Sequence, residues 1–240
     1  MVALAEEHGV AVATERLKYL RKSKRGDGSG RHFRRREHRF AYRSLLAKVH
    51  SLARKRGVEV LEVNPQDTST IGMLKYAPLL HLSKDVAASY VIGRRALGFE
   101  EKLPKGYEAL LKDDAFLAHV QGFYGDRLQE LRKLKEAEKN PYHRRRLSRD
   151  IGRAKAALTL VSSLRGSPGS RKGVTKGRNP SGAHPWRVLR VGLFLPLLGR
   201  EVPRDLSPLK PVLLGPWERW KGSLSSHPGW ESARRNVRFG

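Results

Sequence analysis

The chain has no cysteine among its 240 residues. That excludes a disulfide framework, a Cys-ligated zinc ribbon, an iron–sulfur cluster and a thiol nucleophile, and it suits a reducing compartment. Acidic residues are scarce: 23 Asp and Glu stand against 49 Lys and Arg, a formal net charge of +26. No apolar run reaches the roughly 18–20 residues of a membrane span, and no lipid-anchor motif is visible. The opening residues carry Glu6, Glu7 and His8 where a secretory signal has a basic region. A cytoplasmic location is therefore expected, without a membrane partner. So large a positive charge says little about fold. It points to a polyanionic partner, nucleic acid before an acidic membrane.

The charge is concentrated in two runs. Residues 16–56 hold sixteen Lys and Arg against Asp27 and Glu37, and residues 144–178 hold eleven against Asp150. A solvated basic face is one reading of such runs. Two dense runs flanking a less basic middle fit a phosphate-contacting surface better. The candidate contacts are Arg21, Lys22, Lys24, Arg25, Arg34, Arg35, Arg36, Arg39 and Arg43 in the first run. In the second they are Arg144, Arg145, Arg146, Arg149 and Arg153.

Patterning predicts an α/β start. Residues 1–8 read as the last turns of a helix closed by Gly9, and the almost wholly apolar residues 10–14 as a strand buried on both faces. A basic, Gly-containing loop is expected over 16–36. A helix follows over 37–56, with Ala41, Leu45, Val49 and Leu52 as its apolar stripe. Residues 58–63 read as a strand ended by Asn64-Pro65. This order predicts a parallel β–α–β crossover. Residues 68–84 read as a connector with turns at Gly72 and Pro78, and 85–97 as a helix opened by Asp85.

The remainder reads as helical and then irregular. One or two helices are expected over 108–140, interrupted near Gly122 and Gly125. Another spans 141–164, capped by Asn140, with Leu147, Ile151, Ala154, Leu158 and Val161 on one side. Residues 126–164 thus predict a basic helical hairpin. Nine of the thirteen prolines follow Arg165, so an irregular Pro/Gly/Ser-rich tail is expected. Within it, Arg187, Arg190 and Pro196 interrupt an apolar patch over 186–198. Three parts result: 1–104, 105–165 and 166–240.

Two carboxylates stand out by position. Glu15 lies where the first strand runs out, the edge at which α/β sheets place ligands. Asp85 opens a helix whose Ala87 and Ala88 allow close approach to a sheet. Carboxylates converging at such an edge can hold divalent metals that activate water for phosphodiester hydrolysis. Each also has an ordinary reading: Glu15 paired with Arg16 or Lys18 in solvent, Asp85 as a helix cap. Asp67 is a possible third carboxylate, although a turn residue is the better reading. The nine histidines show no zinc-type spacing, so no zinc is expected.

These landmarks occur in a telling order. Thr14-Glu15-Arg16-Leu17 is followed by Arg39-Phe40-Ala41-Tyr42-Arg43 and Val58-Glu59-Val60-Leu61-Glu62-Val63. Then come Asn64-Pro65-Gln66-Asp67-Thr68-Ser69, Asp85-Val86-Ala87-Ala88-Ser89 and Ile92-Gly93-Arg94-Arg95. Over residues 1–104 the series resembles the RuvC-like C-terminal part of the TnpB/OrfB proteins of insertion sequences, which are RNA-guided DNA nucleases. The resemblance implies an incomplete RNase H-like (RuvC-type) layer, followed by the basic helical hairpin and the irregular tail. It implies Mg²⁺- or Mn²⁺-dependent cleavage of DNA, with guide RNA and DNA as partners, and Glu15 and Asp85 as the second and third metal-binding carboxylates.

The chain departs from the family at two places. The usual zinc ribbon is missing, since residues 68–84 hold no cysteine; zinc-less relatives carry Ile-Gly and Lys-Tyr here, as in Ile71-Gly72 and Lys75-Tyr76. The strand bearing the family's first catalytic Asp is not in this sequence. The resemblance therefore implies the C-terminal portion of a longer protein or a decayed or restarted reading frame, cutting weakly or not at all by itself. The alternative is a non-catalytic, nucleic-acid-binding remnant of such a nuclease.

Overall fold

The computed structural model describes residues 1–16, 42–165 and 184–214, with positions 32 and 35 in isolation. The expected basic loop therefore falls almost wholly outside the described residues, as do 166–183 and 215–240 of the expected tail.

The first helix and the parallel crossover are observed. Helix α1 (Val2–Glu7) ends where Gly9 takes a left-handed φ of 62°, and the Gly9 N–H donates to the Glu6 carbonyl at 3.1 Å. Strands β1 (Val12–Glu15) and β2 (Val60–Val63) pair in parallel, Val12 opposite Val60 and Glu15 opposite Val63. Helix α2 (Tyr42–Lys55) lies between them in the chain. No wider RNase H-like layer is seen: the sheet has two strands among the described residues. In β1, Val12 and Thr14 are buried while Ala13 and Glu15 are half-exposed. One face is covered rather than two.

The stripe expected on α2 is displaced. Leu45 and Leu52 are exposed, whereas Ala53 is buried and Leu46, Val49 and His50 are half-buried. Polar ties hold the packed side. His50 Nε2 lies 3.2 Å from Glu62 Oε1 on β2, and Arg56, just past the helix, meets Glu6 of α1 at 2.8 Å. The apolar stripe alone predicted the wrong rotation because so little sheet lies beneath the helix to receive it.

Residues 68–84 are not an open connector. They form α3 (Thr68–Ile71), a π-turn (Gly72–Tyr76) and α4 (Ala77–Leu80), which lead into α5 (Lys84–Ala96). Ile71, Met73, Leu74, Tyr76 and Ala77 are buried. Gly72 lets the π-turn rest directly on α5. A Cβ there would stand 2.7 Å from the Ala87 carbonyl carbon and from the Ala88 nitrogen, and these backbone atoms cannot swing aside. Gly72→Ala should therefore cost about 1–3 kcal/mol, the usual range for overpacking, read as a lower urea midpoint at unchanged m-value.

Helices α6 (Lys105–Lys112), α7 (Asp114–Ala137) and α8 (Pro141–Arg165) follow. The break expected near Gly122 and Gly125 falls instead at Asp113. Its carboxylate accepts the Ala115 and Phe116 N–H groups at 2.8 and 3.2 Å, capping α7. Both glycines sit within α7 with nothing near their missing side chains. Asn140 caps α8 as expected, accepting the Tyr142 N–H at 2.9 Å, with Pro141 in the first turn. The α7–α8 hairpin closes over Leu131, Leu147, Ala154, Ala157 and Val161, all buried.

The described part of the expected tail is helical and central. Helices α9 (Pro185–Leu193), α10 (Leu195–Leu198) and α11 (Leu209–Leu214) contribute Trp186, Val188, Leu189, Leu193, Phe194 and Leu209 to the core. Proline misled the irregular reading because Pro185 and Pro196 stand in first helical turns, where a missing N–H costs nothing. One helical core thus runs from Ile71 to Leu213. The small β–α–β unit leans on it through α5, which touches both strands. Among the described residues, no helix is long and apolar enough to cross a membrane.

Candidate nucleic-acid interface

The two predicted catalytic carboxylates occupy different surroundings. Glu15 closes β1 at its carboxyl end, half-exposed. The expected Arg16 partner turns away to Glu62, its Nε 3.7 Å from Oε2 and its Nη2 donating to the Glu62 carbonyl at 3.2 Å. Glu15 has no ion-pair partner among the described residues, and Lys18 lies outside them.

Asp85 is exposed in the first turn of α5, where a negative charge suits the helix dipole. The cap itself is Ser83, whose Oγ accepts the Val86 N–H at 3.4 Å, so Asp85 is not the cap. It lines a cleft of about 620 Å³ with His81, Arg204 and Asp205, to which Glu15 does not contribute. Helix α5 reaches the end of β2 through Arg95, which donates to the Asn64 and Gln66 carbonyls at 2.7 Å each. Asp85 lies ten residues earlier in the helix, about 15 Å along its axis. Among the described residues, no group of three or more His, Asp or Glu converges as a metal site.

Asp67 proves to be a turn residue. It takes a left-handed φ of 60° before α3, and its Oδ1 accepts from Arg187 Nε at 3.0 Å. Its Oδ2 lies 3.7 Å from His184 Nδ1. These contacts tie the turn after β2 to the start of α9.

A second carboxylate, not singled out by the sequence, is the most buried acid with a network. The Glu101 side chain is 3 % exposed. Its Oε2 meets Lys75 Nζ at 2.8 Å and the Tyr76 hydroxyl at 2.7 Å, and its Oε1 meets Arg94 Nε at 2.8 Å. Burial alone raises such a pKa, but donors from Lys75, Tyr76 and Arg94 outweigh it and hold Glu101 below the usual carboxylate range. Arg94 also covers the Tyr76, Tyr90 and Phe99 rings. Through these contacts the cluster fastens the segment after α5 to the π-turn.

The basic candidates divide into three groups. Arg21, Lys22, Lys24, Arg25, Arg34, Arg36 and Arg39 lie outside the described residues, Arg35 is exposed, and Arg43 stands in the first turn of α2. Arg149 and Arg153 are committed to carboxylates. Arg149 Nε lies 3.8 Å from Asp150, and Arg153 meets Asp150 at 3.6 Å and Glu201 at 3.2 Å. Arg144, Arg145 and Arg146 are exposed in the first two turns of α8, with Tyr142 also exposed before them. They have no carboxylate partner among the described residues, and this is the described basic surface best placed to meet phosphate.

Sequence reasoning missed Arg127 and Arg190. They flank Tyr124, whose hydroxyl donates to the Val191 carbonyl at 3.1 Å and is pushed up to about 12 by burial. The available signal was Arg187 and Arg190 at i, i+3 in an otherwise apolar stretch, the mark of a helix with one polar side.

No protein-family model, curated protein or solved structure matches the chain.

Proposed function

We propose that the chain is a TnpB-related protein that grips nucleic-acid backbone, the RuvC-like C-terminal part of an RNA-guided DNA endonuclease. In such a protein base pairing with guide RNA carries sequence specificity, and the polypeptide holds phosphates. The observation that carries the gripping role is the row of exposed Arg144, Arg145 and Arg146, without a carboxylate partner among the described residues, at one end of the α7–α8 hairpin, in a chain of net charge +26. The parallel β–α–β unit, with Glu15 at its carboxyl edge, supports the nuclease relation.

A second reading, a non-catalytic nucleic-acid-binding remnant, is favoured by the cleft that Asp85 lines with His81 and Arg204, to which Glu15 does not contribute. One pair of variants decides between them. In a form carrying the first catalytic Asp, Glu15→Ala and Asp85→Ala are each expected to abolish Mg²⁺- or Mn²⁺-dependent cleavage while nucleic-acid affinity stays unchanged. Undiminished cutting by both variants overturns the assignment of these carboxylates. Salt-sensitive binding without any metal-dependent turnover decides for the remnant.

A further inference from the structure

Beyond the row of arginines on α8, one cleft has the chemistry of a ligand site. It lies among α7, α8 and α9 and encloses about 550 Å³, within the ~300–1,000 Å³ typical of small-ligand pockets and far too small for a duplex. Leu160, Val191 and Phe194 supply apolar lining, and Arg127, Arg153, Arg187 and Arg190 also line it. Arg153 and Arg187 are engaged by Asp150, Glu201 and Asp67. Arg127 and Arg190 have no carboxylate partner among the described residues. Two uncommitted guanidiniums beside an apolar recess suit a ligand with one anionic group and one flat, weakly polar body.

The position of the cleft narrows the ligand. Arg146, Asp150, Arg153, Ala157 and Leu160 are spaced i, i+4, i+7, i+11 and i+14 along α8, which places them on one side of the helix. Arg146 stands seven residues, about 10 Å of helix axis, before Arg153 at the cleft. A strand gripped by Arg144–Arg146 and following this side of α8 runs into the recess. We infer that the cleft takes a single unstacked nucleotide of the bound strand, its base against the apolar lining and its phosphate on Arg127 and Arg190. The inference rests on the backbone-gripping reading above and adds a preference for single strands.

The test compares the affinities of the full chain for a short single-stranded oligonucleotide and for a blunt duplex of the same sequence. Ala156 lines the cleft and is exposed, so Ala156→Trp fills the recess without removing a charge. The expected result is single-strand affinity lowered about fivefold or more, the low end for losing one base–protein stacking contact, with duplex affinity nearly unchanged. Unchanged single-strand affinity, or equal loss on both substrates, overturns the inference. Should Ala156→Trp fail to fold, the double variant Arg127→Gln/Arg190→Gln decides the question on the same two outcomes. Failure of the wild-type chain to bind either the single strand or the duplex overturns the backbone-gripping reading itself, a result distinct from either.

Discussion

Replacing Arg144, Arg145 and Arg146 together by alanine is expected to lower duplex affinity on the order of tenfold or more at moderate salt, with the fold intact. Each phosphate contact releases counterions, and each contributes about 0.9 to the slope of log affinity against log salt on B-form DNA. All three side chains are exposed in the first turns of α8, so their removal opens no cavity. Alanine is the best helix former, and α8 should lose no helicity. Far-UV circular dichroism and the thermal midpoint check that point, and fluorescence anisotropy checks the affinity. The matching Arg149→Ala change should be milder, because Asp150 already shares that charge.

Glu101→Ala is expected to produce the largest loss of stability of any single change at a charged residue. It strips three donors of their acceptor while the Lys75 and Arg94 side chains are only 18 % and 26 % exposed. Breaking a fully buried pair costs about 3–5 kcal/mol. Some solvent reaches Lys75 and Arg94, so about 2–3 kcal/mol is expected here, measured by urea denaturation. The same site predicts a pH dependence. The folded-state pKa of Glu101 lies below its ordinary value of 4.5, so its contribution is fully present above that value. It is lost as pH falls from about 4.5 through the lower folded value. Glu101→Gln should flatten this acid limb, and an unchanged limb would count against the assignment.

The local signals in the sequence that survived folding are those with a single physical cause. Gly9 closes a helix because it accepts a positive φ. Asn140-Pro141 opens α8 through a side-chain acceptor and a fixed φ. The order strand, helix, strand gave the parallel pairing of Val12 with Val60, since a crossover of that length permits it. What the sequence could not show was which partner each apolar surface would find. Leu45 and Leu52 look like core on periodicity and are exposed. Trp186, Leu189 and Leu193 look like a Pro-interrupted tail and are buried. Residues 68–84 look like a connector because Gly72 and Pro78 usually mark turns. Here Gly72 marks a close helix contact and Pro78 sits in the first turn of α4.

The candidate site was legible in kind rather than in detail. Charge runs picked out Arg144–Arg146 because exposure needs no tertiary information once a helix has an apolar side. They also picked out Arg149 and Arg153, whose neutralisation by Asp150 and Glu201 depends partly on a contact spanning 48 residues. Arg127 and Arg190 line one cleft only because α9 docks on α7. No local pattern encodes that docking. Glu15 and Asp85 were chosen for their places at element ends, and those places are observed.

The central claim is that this chain holds nucleic acid by its phosphates through the exposed arginines of α8. Its most direct measurement is the salt dependence of duplex affinity for the wild-type chain and for the Arg144/Arg145/Arg146 triple alanine variant on the same DNA. A steep wild-type slope, reduced by about two to three in the variant, is the predicted result. A wild-type affinity indifferent to salt, or a variant slope identical to that of the wild type, would contradict the account.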